Sequence, residues 1–217
     1  MNHIRNKIQD SKTLLGPFPT FDVEGTPYFP NELFLEWFQV ALAHDVHEPH
    51  AMTLSTVNKE GAPDSRVLIL KDVDEEGWYF ATSTNSEKGK QLMNNSDVAL
   101  NFYWSIIGRQ IRIRGKAMKM DEETNVKDFL NRGKVARAIS LIEKQSSIID
   151  KQSDFEEALK ARLSYLEDHP DEVAASWTLF KVVADEVEFW QADENRQHIR
   201  LKYDLEGRDW IKKLLWA

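Results

Sequence analysis

Val187-Glu188-Phe189-Trp190-Gln191, followed after a short gap by Asn195-Arg196-Gln197-His198-Ile199-Arg200, is the stretch on which the reading of the fold turns. It reads as strand, turn, strand. Residues i, i+2 and i+4 of a strand share one face, so the pattern predicts Arg196, His198 and Arg200 pointing the same way. Two fixed cations flanking a titratable imidazole suit an anionic or electron-rich ligand. The same pattern also fits a solvated edge strand with its charges facing water, and these residues alone leave both readings open.

Working outward, turn signals separate further strand-like segments at 51–57, 65–69, 78–82 and 98–104, with 58–61 as a turn. Residues 110–118 alternate plainly, with Ile111 and Ile113 on one face and Arg112 and Arg114 on the other. A helix is predicted from Asn31, as its cap, to about His44, with Leu33, Phe34, Trp37, Phe38 and Leu42 as its apolar stripe. A short helix is expected over 88–94. Residues 121–169 read as a helical insertion, and 176–217 return to strands. Pro17, Pro19, Pro27 and Pro30 make residues 1–30 an irregular arm. Strands, a helical insertion and strands again predict an α+β fold in which 31–217 form one domain with a barrel-like, mainly antiparallel sheet.

The 217 residues suffice for a substantial core. Lys and Arg number 28 against 36 Asp and Glu, a net charge of -8. That balance disfavours general binding to nucleic acid or anionic membranes while permitting a local basic pocket. The absence of cysteine removes disulfides, thiolate metal sites and cysteine nucleophiles. No apolar run approaches the ~20 residues of a membrane span, and the polar first residues lack a signal-peptide core. A cytoplasmic protein is expected.

Three further segments can carry chemistry. Ser65-Arg66-Val67-Leu68-Ile69-Leu70-Lys71 is a strand with a cation near each end, flanking charges that either keep it soluble or face a ligand. Ala81-Thr82-Ser83-Thr84-Asn85-Ser86-Glu87-Lys88 brings hydroxyls, an amide and a lysine to a helix start. It reads as a phosphate cradle or as a capping loop with Ser86 as N-cap. Lys144-Gln145-Ser146-Ser147 offers a cation, an amide and two hydroxyls between helical stretches, and also fits an ordinary loop. His44, His47 and His50 lack a placed carboxylate, so no metal is expected.

Taken in order, these blocks resemble the pyridoxamine 5'-phosphate oxidase family from about residue 31 to the C-terminus. Glu188-Phe189-Trp190-Gln191 with the spaced Arg196-x-His198-x-Arg200, and Lys144-Gln145-Ser146-Ser147, are the most specific parts. The resemblance implies a homodimeric split β-barrel with flanking helices and FMN at the subunit interface, in which 176–217 serve dimerisation and substrate. It implies that Arg66, Val67, Leu68, Ile69, Leu70, Lys71, Ala81, Thr82, Lys88 and Gln110 hold FMN, completed by Gln145, Ser146, Trp190 and Arg200. Arg66, Lys88 and Ser146 suit its phosphate as donors to an anion, and Gln110 an edge of the ring system. Lys71 and Arg132 are implied for the substrate phosphate, with Arg196 and His198 as the catalytic pair facing the pyridine ring. The implied reaction oxidises pyridoxamine or pyridoxine 5'-phosphate to pyridoxal 5'-phosphate, with O₂ giving H₂O₂.

Asp128 stands where the family has a tyrosine in its phosphate pocket, and Ala136 where it has a serine. Glu87 replaces an arginine that usually helps hold the FMN phosphate. An aspartate facing a phosphate dianion repels it, and each lost hydrogen bond to a charged group costs roughly 1.5–3 kcal/mol. Two alternatives therefore stand beside the first reading: an FMN-dependent oxidase of another heteroaromatic, phenazine-type substrate, and a flavin-binding protein without turnover.

Overall fold

The computed structural model describes residues 2–217, with side chains described from residue 4 onward. Its helices are α1 (Asn2–Gln9), α2 (Pro30–Ala43), α3 (Glu87–Asn94), α4 (Glu122–Leu130), α5 (Lys134–Leu141) and α6 (Gln152–Asp168). Its strands are β1 (Ala51–Val57), β2 (Pro63–Ile69), β3 (Asp72–Asp74), β4 (Gly77–Ser83), β5 (Asp97–Trp104), β6 (Arg109–Lys119), β7 (Trp177–Gln191), β8 (Ile199–Glu206) and β9 (Asp209–Leu214). No helix among the described residues is long and apolar enough to cross a membrane. The chain gathers into two compact units, one of residues up to Pro49 with 101–112 and 186–217, the other of 50–100 and 113–185. β5, β6 and β7 each run through both.

In the second unit the strand order is β2-β1-β5-β6-β7-β4-β3. β1 and β2 form an antiparallel pair in which Leu54 faces Arg66. β1 buries Met52, Leu54 and Thr56 on alternate positions, as a half-buried strand must. β4 is buried along nearly its whole length because its two faces are both covered, and Phe80 stacks on its register partner Phe180 of β7. Gly115 of β6 passes so close to β7 that a Cβ there would lie 2.1 Å from the Val183 carbonyl oxygen, so only glycine fits. The helical insertion has its own core of Phe129, Ala138, Leu141, Leu166 and Ala174. Asn125 ties α4 to the sheet by accepting a hydrogen bond from the Leu179 N–H.

In the first unit the last part of β7 pairs with β8, and β8 with β9, both antiparallel. α2 buries Leu33, Phe34, Trp37 and Ala41, and Trp37 meets Phe21 and Phe189 edge-on. The helix cap differs from the expectation: Phe29 is the N-cap and Pro30 opens the first turn, leaving Asn31 inside. Proline suits that position because its missing N–H would have no helical partner. Leu42 is 56% exposed and lies off the stripe, and Ala41 takes the buried position instead. The arm is not irregular throughout, since α1 precedes all four prolines. Lys212 anchors its later part by donating to Thr26, as does Tyr203 by donating to the Pro27 carbonyl.

Candidate functional site

A cavity of about 910 Å³ opens in the second unit between the end of β2, β4 and the insertion helices. That is a volume typical of small-molecule sites. Lys71, held just past β2 by its N–H to the Tyr79 carbonyl, lines one end. Its Nζ lies 3.0 Å from Asp128 Oδ1, while Asp128 Oδ2 accepts from Trp177 Nε1 at 2.8 Å. Arg132 stacks its guanidinium 3.7 Å from the Trp177 ring centre and donates from Nη1 to Ser140 Oγ at 2.7 Å. Burial pulls the Arg132 pKa down, with the Asp128 charge opposing. The 142–150 loop also lines the cavity, with Lys144, Gln145 and Ser147 among its residues there. Glu143 and Ser146 there adopt positive φ of 56° and 70°, a conformation that is uncommon outside glycine and accompanies a tightly folded loop.

Beside the cavity, Ser86 caps α3 by accepting from the Gly89 N–H. The capping reading of this segment is therefore correct, and the Glu87 N–H points to Ser146 Oγ at 3.4 Å. Lys88 is 7% exposed and makes no ion pair among the described residues. Desolvation first and the nearby Arg66 second lower its pKa, with Asp64 opposing. Arg66 donates to Thr56 Oγ1 at 2.6 Å and pairs with Asp64. Glu87, a concern on charge grounds, is paired with Lys90 at 2.9 Å on the exposed side of the helix.

The other candidates lie in the first unit. Glu188 is buried and holds both Arg200 Nε at 2.8 Å and Arg112 Nη1 at 3.2 Å, which fixes the Arg200 guanidinium and raises its pKa. Gln110 donates to Asn101 Oδ1 at 2.7 Å. The opening expectation of one strand face carrying Arg196, His198 and Arg200 is corrected here. β8 begins only at Ile199, and Arg196 takes a positive φ of 63° in the preceding turn. The Asp193 carboxylate organises that turn by accepting from the Asn195 and Gln197 N–H groups. His198 rests 4.8 Å from the Trp190 ring, and its Nδ1 accepts from the Asp193 N–H at 3.1 Å.

The family model for pyridoxamine 5'-phosphate oxidase matches residues 39–191, and that for the pyridoxine 5'-phosphate oxidase C-terminal dimerisation region matches residues 177–217. The chain belongs to the pyridoxamine 5'-phosphate oxidase family. It is 39% identical over 199 residues to the pyridoxine/pyridoxamine 5'-phosphate oxidase of Wolbachia pipientis wMel, which spans 90% of each chain. The enzyme of that name from Gluconobacter oxydans is 34% identical over 90% of this chain and 96% of its own. Among solved structures, PhzG from Burkholderia lata 383, in complex with tetrahydrophenazine-1-carboxylic acid, superposes with a TM-score of 0.84 at 29% identity, covering 93% of this chain and 100% of that one. A Nostoc punctiforme protein described as pyridoxamine 5'-phosphate oxidase-related and FMN binding shares the fold, with a TM-score of 0.70 at 15% identity.

Of the residues the family resemblance singles out, Leu68, Ile69, Lys71, Ala81, Thr82, Arg132 and Gln145 line the cavity. Arg66, Lys88 and Ser146 gather instead around the start of α3. Val67 is 67% exposed and Leu70 is buried, and neither lines the cavity. Gln110, Trp190, Arg196, His198 and Arg200 belong to the first unit. Ser140 was not foreseen. It lies one helical turn beyond Ala136 and faces the same way, so it gives Arg132 a hydroxyl partner although Ala136 has none. A search of the i+4 position could have found it.

Proposed function

We propose that this member of the pyridoxamine 5'-phosphate oxidase family is an FMN-dependent oxidase that converts pyridoxine or pyridoxamine 5'-phosphate to pyridoxal 5'-phosphate, working as a homodimer with FMN at the subunit interface. The observation that carries this reading is the cavity bearing Lys71 and Arg132 at one end, next to a buried lysine with no carboxylate partner. The residues fit FMN. Lys88 and Arg66 supply cations of the kind a phosphate monoester offsets, and Glu87 is turned to Lys90. Bound there, FMN supplies a two-electron acceptor that O₂ reoxidises. The alcohol and one O₂ give the aldehyde and H₂O₂; the amine also takes up a water and releases ammonia.

This chain's own residues bind and orient. Lys71 and Arg132 take the substrate phosphate, and Arg196 and His198 take the polar groups of the ring. Because His198 Nδ1 accepts a backbone N–H, the neutral ring carries its proton on Nε2 and presents it as a donor. Trp190, packed against that imidazole, limits its rotation. Arg200 is kept in place by Glu188 for the flavin. A second reading, oxidation of another heteroaromatic acid, draws support from Asp128 at the phosphate end and from the likeness to PhzG.

Purified protein supplied with FMN and pyridoxine 5'-phosphate is expected to release H₂O₂ in step with aldehyde. No H₂O₂ with that substrate, but flavin bleaching under anaerobic conditions by another heteroaromatic, would establish the second reading; flavin reduced by no candidate would leave a non-catalytic binder. Arg196→Ala with His198→Ala should lower kcat/KM by about a hundredfold, the loss of at least one hydrogen bond to a charged group. Unchanged kcat/KM would remove the pair from the substrate.

A further inference from the structure

We infer that Ser140 is a positioning residue for the substrate phosphate: by holding the Arg132 guanidinium in one orientation in the cavity, it sets how tightly a 5'-phosphate binds there. This deepens the proposed function and rests on its placing the phosphate beside Lys71 and Arg132. Arg132 lies in the short link between α4 and α5, where its backbone N–H donates to the Phe129 carbonyl at 3.1 Å. Two contacts fix the side chain beyond that point. The guanidinium carbon sits 3.7 Å from the Trp177 ring centre, and that ring is itself tied to Asp128 through Nε1. Rotation over the ring is stopped by Ser140, whose Oγ accepts from Arg132 Nη1 at 2.7 Å. Both Arg132 and Ser140 line the cavity.

The polarity of the Ser140 bond is set by its other partner. A hydroxyl has a single proton, and Ser140 gives it to the Ala136 carbonyl, one turn back on α5, at 3.1 Å. Its lone pairs are left for Arg132, which can only donate. Position 136 is alanine and supplies no hydroxyl of its own, so α5 orients the arginine through this chain of carbonyl, hydroxyl and guanidinium. The acceptor is neutral and takes one N–H of the guanidinium fork, so it leaves the positive charge for a phosphate to meet. A flexible arginine loses rotamer freedom when it binds an anion. One that is already ordered does not, and the difference appears as affinity.

The test uses FMN-loaded protein, with calorimetric Kd values for 4-deoxypyridoxine 5'-phosphate and for 4-deoxypyridoxine, neither of which carries the amine or alcohol to be oxidised. Ser140→Ala should weaken the phosphorylated ligand by about tenfold, the lower end for a bond to a charged group, and leave the other within about twofold. Alanine is the better helix former, so α5 and Tm should be retained. Ser140→Thr restores the hydroxyl and should recover the native Kd to within about threefold. Beside Arg132→Met, Ser140→Ala should add less than about a twofold loss, because the group it orients is gone. Equal losses for both ligands, no loss for the phosphorylated one, or an undiminished effect beside Arg132→Met would overturn the inference. In turnover the loss is expected in KM rather than kcat, and H₂O₂ production is scored separately. The expected binding shifts without turnover refute the oxidase reading and leave the role of Ser140 standing; turnover without the shifts does the reverse.

Discussion

Arg66→Ala combined with Lys88→Met is expected to weaken FMN binding by about 10²–10⁴-fold, at roughly 1.5–3 kcal/mol for each lost bond to a charged phosphate. The methionine keeps the packing of the lysine stem and removes a cation that is desolvated without an ion-pair partner among the described residues. Apo stability should therefore fall little from the Lys88 change alone, while the thermal shift on adding FMN should disappear in the double variant. Fluorescence titration of FMN measures the loss. Less than a threefold change would take both residues out of the phosphate site.

The same lysine predicts a pH dependence. Its folded pKa lies below the ordinary value of 10.5, so the unfolded chain binds more protons in the interval between the two. Apo stability attributable to Lys88 accordingly rises with pH as the folded-state pKa is passed, because a buried charge is lost. FMN affinity moves the other way, declining over that alkaline range as the ammonium needed by the phosphate is neutralised. Lys88→Met should flatten both profiles. Retention of the full alkaline decline in that variant would assign it to another group.

The second large effect is on stability. Phe129→Ala should cost about 3–5 kcal/mol, combining lost burial with the cavity left in a small core, and lower Tm by roughly 6–20 °C. Phe129 is fully buried among Ala138, Leu141, Leu166 and Ala174 and meets Trp177 edge-on at 6.0 Å. Trp177 in turn carries Arg132 and Asp128. The substitution should therefore also raise KM for a phosphorylated substrate, with Phe129→Leu intermediate in both respects. A Tm change below about 2 °C would show that the insertion helices do not depend on this side chain.

The strands were legible because period-2 alternation marks a half-buried strand wherever one face meets the core. Residues 110–118 show it and form most of β6. β3, three residues long, gave no period to read, and it pairs with β4. The same brevity misled the reading of Arg196: charged residues two apart look like a strand face, but Asp193 folds the segment into a turn with a left-handed residue. Ser86 was readable as a cap because capping depends on a side chain and backbone N–H groups three residues apart.

The linear sequence by itself determined the order of elements, the absence of thiol chemistry and, through ordered blocks of polar residues, the family. Local periodicity and residue type suffice for those. Only the tertiary structure decided how the charges pair: that Asp128 answers Lys71 across 57 positions, that Ser140 serves Arg132, that Glu188 anchors Arg200, and that Lys88 is left unpaired among the described residues. Electrostatic partnership depends on distance and burial in three dimensions, which spacing along the chain does not encode. The stretch from Val187 to Arg200 shows both halves. Its residues carried the family resemblance, while the fold divided it into a buried anchor, an exposed turn and a strand.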